Sequence, residues 1–247
     1  MSTVLSRNNA VIRRVDGRLD NPRPIDAEPW YERLVAAHPE IRAEWDGFEA
    51  AGGDLPLIEE TLGRPDQNQG ASWQLAPLLY LGKPVDAIGP YFPRTIHALN
   101  QVPHLRSACW SVLGPGGWIP EHVGPNGGCL RLLIAVDAEG ARLTVNGRDA
   151  QFRNGAATLF DDTFPHAVRN DDPRRRVVLL CDLTRPIAGP WYWPNRAVQR
   201  SLHLLTPSYR DATTQGAANF RRRNAALPPP AVVHARSDRP PASRHIV

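Results

Sequence analysis

The chain has 247 residues, of which 42% are hydrophobic and 22% are charged. This length and composition are typical of a globular protein with one main domain and a sizeable core. No stretch of about 18 apolar residues occurs, so we expect no membrane span. The first residues lack the apolar segment of a secretory signal, and the three cysteines form neither a disulfide framework nor a zinc pattern. These features predict a cytoplasmic protein with reduced, buried thiols.

The formal net charge of +4 comes entirely from the C-terminal end. Residues 211–247 contain six arginines and two aspartates, so the preceding residues sum to zero. We therefore expect no nucleic-acid partner for the main domain, and we predict that residues 211–247 form a basic, disordered tail. Contact of its RRR run with nucleic acid or anionic lipid remains an alternative to a solvated tail.

The N-terminal part of the chain predicts helices after a flexible arm. Residues 1–27 are polar and without periodicity, which is typical of a loose segment. From Pro29 to Ala51 apolar residues recur every three or four positions, which predicts helix, with two helices meeting at Pro39. Trp73–Leu81 has the length of a strand, and Pro93–Asn100 is interpreted as a further helix.

From Ser107 onward, short apolar runs alternate with segments rich in Gly, Pro and Asn. Asn146-Gly147 separates two alternating runs, and this pattern is the strongest short-range signal of a β-hairpin. Seven such runs without intervening helices indicate a mainly β fold with flanking helices. We expect a double-stranded β-helix, that is, a cupin-like jelly roll, in a domain over residues 28–210.

Two of the eight histidines lie at strand ends in this β-rich part, namely His122 and His166. A jelly roll can bring such residues together on facing strands, and imidazole is a good ligand for iron, zinc and copper. Iron-dependent oxygenases commonly add a carboxylate two residues after the first histidine. Here Gly124 occupies that place, so the sequence predicts a metal site with two histidines and no carboxylate ligand.

Two arginines interrupt strands that are otherwise apolar on both faces, Arg131 in CLRLLIAV and Arg176 in RVVLLCDL. A guanidinium in such a strand is costly unless it meets an anion. Two of them beside a two-histidine site favour a ligand with two carboxylates, because arginine binds carboxylates in a bidentate manner. 2-Oxoglutarate has this character, with one end for the metal and one for an arginine.

These motifs resemble the aspartyl/asparaginyl β-hydroxylase family. The segments that carry the resemblance are Ser111 with LGPGGWIPEH, HVGPNGGCLR, FDDTFPHAVRND and RVVLLCD, within residues 93–186. The resemblance implies Fe(II) bound by His122 and His166, with 2-oxoglutarate and O2 as co-substrates and ascorbate as a reductant in vitro. Glycine at the carboxylate position is a further point of agreement with this family.

The resemblance also implies roles for four other residues. Ser111 and Arg176 would hold the distal carboxylate of 2-oxoglutarate, and Arg131 would support its metal-chelating end. Asp162 would act as a catalytic acid near the metal-bound water, although a turn-capping role is the structural alternative. Many family members have histidine where this chain has Leu133, which is a departure beside the co-substrate.

The sequence therefore predicts a dioxygenase that hydroxylates an unactivated carbon. The first expected substrate is the β-carbon of an aspartyl, asparaginyl or related amino-acid group, as a small molecule, a peptide or a carrier-bound residue. The alternatives are hydroxylation of a lipid acyl chain, halogenation through the vacant carboxylate position, and a non-catalytic jelly-roll sensor of a small acid. Peripheral membrane contact is compatible with the aromatic cluster at residues 191–193, which otherwise packs the edge of the barrel.

Overall fold

The computed structural model describes residues 2–16, 22–24, 28–63, 72–187, 189–205 and 207–228. Its helices are α1 (Ser2–Val15), α2 (Pro29–Ala50), α3 (Ile58–Leu62), α4 (Pro93–Leu99), α5 (Tyr192–Leu205) and α6 (Pro207–Arg223), with 3-10 turns at Gly89–Tyr91 and Gly189–Trp191. Within the described ranges, every helix is too short or too polar to cross a lipid bilayer.

Within the described ranges, eleven strands form two antiparallel sheets. They are β1 (Arg23–Pro24), β2 (Trp73–Tyr80), β3 (Lys83–Pro84), β4 (Leu105–Leu113), β5 (Trp118–His122), β6 (Cys129–Asp137), β7 (Ala141–Val145), β8 (Arg148–Gln151), β9 (Ala157–Phe160), β10 (His166–Asn170) and β11 (Arg176–Thr184). The large sheet has the order β1-β9-β6-β11-β4-β2-β3, and the small one has β5-β10-β7-β8. The predicted mainly β fold of the double-stranded β-helix class is confirmed.

The large sheet is buried on both faces, and strand alternation divides its side chains between two cores. On β6, Leu132 and Ile134 belong to the core that packs against α2 and α4. Leu133 and Ala135 belong to the core between the two sheets. Arg131 shares the second face, so its side chain is directed into the space between the sheets. This space is the lumen of the jelly roll.

The Asn-Gly hairpin is confirmed. β7 and β8 pair in antiparallel register, with Val145 opposite Arg148. Asn146 and Gly147 have φ values of 50° and 72°, as a two-residue type I′ turn requires.

The predicted break at Pro39 is wrong, because α2 continues through it from Pro29 to Ala50. Leu34, which precedes the proline, and Ile41 and Trp45, which follow it, are all buried on one face. Packing of that shared face against the large sheet holds the two halves in one helix and offsets the hydrogen bond that proline cannot donate.

The prediction of a flexible arm over residues 1–27 is wrong for residues 2–16, which include α1. Only two of its apolar side chains, Leu5 and Ile12, are buried, so apolar packing of this helix on the domain is limited. The helix is positioned by polar contacts instead. The Asn9 side chain donates to the carbonyl of Pro125 and accepts from the amide of Gly127. Residues 17–21 and 25–27 lie outside the described residues.

The prediction of disorder over residues 211–247 is wrong for residues 211–228, and the predicted domain boundary at 210 falls inside α6. Phe220 of α6 is only 1% exposed and stacks on Phe48 with ring centroids 5.7 Å apart. Gly216 allows a close approach, since a Cβ atom there would lie 2.9 Å from the ring of Pro77. Residues 229–247 lie outside the described residues.

We expect Phe220→Ala to lower the free energy of unfolding by about 3 to 5 kcal/mol, because it removes a buried ring and leaves a cavity. The exposed neighbour Arg221 provides the control, and Arg221→Ala should change stability by less than about 0.5 kcal/mol. Urea unfolding followed by circular dichroism measures both. Equal stability of the Phe220 variant and the wild type would show that α6 does not pack on the domain.

Candidate metal centre

His122 and His166 are brought together by the small sheet. His122 ends β5, His166 begins β10, and the two residues are direct antiparallel partners. Their ring centroids are 4.1 Å apart. The predicted histidine pair is thus adjacent in space, at one end of the lumen.

Backbone carbonyls set the tautomer of both rings in their neutral form. The Nδ1 atom of His122 lies 2.8 Å from the carbonyl oxygen of Pro120, and that of His166 lies 2.9 Å from the carbonyl oxygen of Phe164. A carbonyl can only accept, so Nδ1 of each ring is the donor. In the neutral ring this leaves the lone pair on Nε2, which is the tautomer that a metal ligand needs.

The surroundings of His166 keep its ring neutral. The pKa of His166 is lowered to about 4, mainly by burial and also by the nearby His122 and Arg131. The hydrogen bond to the Phe164 carbonyl acts in the opposite direction. A neutral imidazole is ready to bind a cation at neutral pH. Across the described ranges, no group of three or more His, Cys, Asp or Glu side chains is arranged to hold a metal. The candidate donor set is two imidazoles, a ligand type that suits iron as well as zinc, copper and nickel.

Asp162 fills the space beside Gly124. A Cβ atom at position 124 would lie 2.3 to 2.5 Å from the carboxylate atoms of Asp162, so any larger residue there would displace this side chain. The Gly124 amide also donates to the Asp162 carbonyl at 2.6 Å. The glycine that stands in place of a carboxylate ligand thus makes room for a carboxylate from another loop.

The Asp162 carboxylate is buried and only half satisfied. Its Oδ2 atom accepts from Arg131 at 3.1 Å, while no donor among the described residues reaches the buried Oδ1 atom. Burial raises the pKa of Asp162 to about 6, although Arg131 acts in the opposite direction. Such a group can hold or release a proton near neutral pH.

Arg131 is held between two carboxylates. Its Nη2 atom contacts Asp162, and its Nε atom lies 3.1 Å from Oδ1 of Asp182, the cross-strand neighbour on β11. Burial alone would lower the pKa of Arg131, but Asp182 and Asp162 together raise it. Leu133 lies on the same face of β6 and is buried in the core between the sheets.

Arg176 is buried without a counter-ion. It is 2% exposed, and its Nη1 atom lies 3.5 Å from the hydroxyl of Ser111 on β4. Its guanidinium carbon lies 4.9 Å from the centre of the Phe152 ring. In the described part of the chain, no carboxylate lies within ion-pair distance and no acceptor meets its Nε atom. Burial lowers the pKa of Arg176 to about 9.

Trp73 is a member of this site that the sequence did not reveal. Its indole N–H donates to the Ser111 hydroxyl oxygen at 3.0 Å. Trp73 and Arg176 both donate to this oxygen, so the hydroxyl proton is available for a further acceptor. The sequence indicated only a strand here. The contact depends on the strand register, because Trp73 on β2 and Arg176 on β11 both lie opposite Leu113 of the intervening strand β4.

A cavity of about 230 Å³ borders the loops that follow His122 and precede His166. α1 forms one wall of it, and the site loops form the other. The lining residues are Asn9, Ile12, Arg13, Gly124, Gly127, Asp161 and Thr163.

A buried arginine network fixes the wall of this cavity. Arg185 is 2% exposed. Its guanidinium donates to the Gly127 carbonyl at 2.8 Å, to Asp16 at 3.2 Å and to Asp161. It ties the end of β11 to α1 and to both site loops. Sequence analysis missed this role because Asp16, Gly127 and Asp161 lie far from Arg185 along the chain.

Known proteins are similar to this chain over much of its length. The family model described as aspartyl/asparaginyl beta-hydroxylase matches residues 36–186. The ornithine lipid ester-linked acyl 2-hydroxylase of Rhizobium tropici is 27% identical over 201 residues, which cover 78% of this chain and 71% of that protein. Human aspartyl/asparaginyl beta-hydroxylase is 24% identical over 193 residues, and the match covers 70% of this chain but only 24% of the human protein.

Solved cupin structures are also similar in part. The cupin domain of Schizosaccharomyces pombe Cnp3 is 10% identical with a TM-score of 0.34, over 53% of this chain and 74% of that one. A predicted oxalate decarboxylase from Thermotoga maritima is 16% identical with a TM-score of 0.34, over 48% and 88% of the two chains. The fold assignment depends on the sheet topology, and the family assignment on the match over residues 36–186. The chain belongs to the aspartyl/asparaginyl beta-hydroxylase family.

Proposed function

We propose that this chain is an Fe(II)- and 2-oxoglutarate-dependent dioxygenase that hydroxylates an unactivated carbon. His122 and His166 would bind the iron, and Arg176 with Ser111 would bind the distal carboxylate of 2-oxoglutarate. The observation that carries the proposal is the guanidinium of Arg176, which is buried on the lumen side of the large sheet and meets no carboxylate among the described residues. The ring of His166 lies on the same lumen, with its centroid 5.2 Å from that of Phe160 on the large sheet. A buried cation of this kind favours an anionic ligand that reaches into the lumen.

The two ends of the site differ in the chemistry they offer. Bound iron, with O2 and 2-oxoglutarate, would supply the oxidant that converts C–H to C–OH while the co-substrate becomes succinate and CO2. The chain supplies orientation. The Pro120 and Phe164 carbonyls hold the imidazoles in the ligating tautomer, and Trp73 directs the Ser111 hydroxyl toward a ligand acceptor. Asp162, with its raised pKa, would hold or release a proton at Oδ1, which no donor among the described residues reaches.

Asp162 also favours hydroxylation over halogenation. A halide bound at the vacant position would lie beside Gly124, where the Asp162 carboxylate already fills the space. Two anions in one buried site repel each other strongly. A non-catalytic sensor of a small acid would need only the anion-binding residues Arg176 and Ser111, whereas this site combines them with two imidazoles in the ligating tautomer.

For the substrate, the relatives name two classes. The sequence predicts an aspartyl or asparaginyl β-carbon first and a lipid acyl chain as the alternative. We favour the acyl chain, because the match to the Rhizobium lipid hydroxylase covers most of both chains. The match to the human aspartyl/asparaginyl enzyme covers only a quarter of that protein. The cavity wall from α1, with buried Ile12 and exposed Arg13, offers apolar and cationic contacts to such a substrate.

The proposed reaction predicts slow succinate formation by purified protein supplied with Fe(II), ascorbate and 2-oxoglutarate. His122→Ala and His166→Ala should reduce it to the level without protein, because one imidazole cannot hold the iron. His97→Ala, which changes an exposed histidine on α4, should leave it unchanged. Equal succinate formation by all three variants would exclude the histidine pair as the metal site. No succinate from the wild type under any condition would favour the sensor.

The substrate class predicts where the product is found. Mass spectrometry of a gene-deletion strain should show lipids that lack one oxygen atom relative to the wild type, with the change located in an acyl chain. Complementation with the wild-type gene should restore them, and complementation with the His166→Ala gene should not. If the missing oxygen is found on aspartyl or asparaginyl residues of peptides instead, the acyl-chain assignment is wrong and the hydroxylase assignment stands.

A further inference from the structure

The two helices beside the cavity are basic and carry no acidic residue. α1 has arginines at positions 7, 13 and 14, all exposed, and α5 has exposed arginines at positions 196 and 200. Neither Ser2–Val15 nor Tyr192–Leu205 contains Asp or Glu. Asp16, which follows α1, is already bound by Arg185. The charged side chains of these two helices are therefore all positive.

The same helices expose large apolar side chains. Trp193 at the start of α5 is 65% exposed, Trp191 in the preceding turn is 46% exposed, and Val4 on α1 is 58% exposed. Nine large hydrophobic residues are exposed in the described ranges, and five of them belong to α1 or to the segment that begins α5. A sixth, Val123, directly follows His122. The exposed apolar surface is thus concentrated around the candidate site.

Helical spacing arranges these residues as stripes. On α1, Val4, Arg7, Val11 and Val15 follow one another at steps of three and four. On α5, Trp193, Arg196 and Arg200 do the same, so each set lies on one side of its helix. The Arg196 guanidinium lies 5.4 Å from the centre of the Trp193 ring. Each helix therefore presents a mixed apolar and cationic stripe to solvent.

The stripes belong to helices that are fixed to each other and to the site. Asn8 of α1 donates to Asn195 of α5 at 3.1 Å, and Asn9 bonds to the loop around Pro125 and Gly127. α1 also forms a wall of the cavity. We use the term mouth surface for Val4, Arg7, Val11, Arg14, Val15, Trp191, Trp193, Arg196 and Arg200.

We propose that the mouth surface docks the protein on an anionic phospholipid bilayer. Tryptophan side chains are favoured at the membrane interface, where the ring is buried and the N–H remains hydrated. Basic amphipathic helices bind anionic lipids through apolar burial and charge together. Charge complementarity decides the partner, because the four arginines of this surface, on helices that contain no acidic residue, favour a phosphate-rich surface. An acidic protein or a second copy of the chain is an alternative outcome of the test.

Docking would hold the protein at a lipid surface, where acyl chains are concentrated. The consequence for the substrate rests on the proposed function, whereas the docking itself requires neither iron nor co-substrate. Vesicle binding and succinate formation can therefore fail independently.

The test is co-sedimentation of the full chain with vesicles of phosphatidylcholine alone or mixed with phosphatidylglycerol. Wild-type protein should bind the mixed vesicles, bind phosphatidylcholine weakly, and dissociate as salt increases. Trp193→Ser with Arg196→Gln should weaken binding about ten-fold, because it removes an interfacial ring and a cation. Arg7→Gln with Arg14→Gln is a second variant, on the other helix, in case the first does not fold.

The matched control removes one tryptophan and one arginine at the far end of the small sheet. Trp118 and Arg169 are cross-strand neighbours at the opposite end of β5 and β10 from the histidine pair. Trp118 is 39% exposed, and the side chain of Arg169 is 62% exposed. Trp118→Ser with Arg169→Gln should bind vesicles as the wild type does.

Three results would each overturn the proposal: no vesicle binding, equal loss in both double variants, or binding that does not depend on phosphatidylglycerol. Self-association through the mouth surface in size-exclusion chromatography, without vesicle binding, would assign the surface to a second copy instead.

Discussion

Burying a guanidinium between two sheets without a carboxylate partner costs free energy, and Arg176 is buried in this way at the start of β11. The other nearly inaccessible arginine, Arg185, shows the usual solution, since Asp16 and Asp161 surround it. Among the described residues, Arg185 thus has counter-ions, whereas Arg176 has no carboxylate within ion-pair distance. In the proposed site, Arg176 would bind the distal carboxylate of the co-substrate, and the two imidazoles would hold the metal that binds its other end.

The parts of the site that the sequence predicted are those governed by local periodicity. Alternation along β6 placed Arg131 on the face with Leu133, and the structure confirms that this face borders the lumen. The Asn146-Gly147 hairpin was predictable because its turn type depends on two adjacent residues. The proximity of His122 and His166 followed from their positions at strand ends within a jelly roll.

The parts that the sequence did not predict depend on contacts across long separations. The Trp73 bond to Ser111 requires the register of two strands 38 residues apart in the chain. α1 buries only two apolar side chains and is held by Asn9 against a loop more than 100 residues away. α6 has a low apolar content, and a single buried ring, Phe220, anchors it. Composition alone therefore suggested disorder at both ends, where a few specific contacts produce order.

The central claim is that Arg176 is the anchor for the co-substrate, and calorimetric titration of 2-oxoglutarate into the Fe(II)-loaded protein without oxygen tests it most directly. Arg176→Met should weaken 2-oxoglutarate binding about 10- to 100-fold, because one charge-assisted interaction is worth about 1.5 to 3 kcal/mol. It should leave the free protein as stable as the wild type or more so, since an unpaired buried charge is removed. Arg185→Met, at the paired arginine, should instead destabilise the fold. Unchanged 2-oxoglutarate affinity in Arg176→Met would contradict the account.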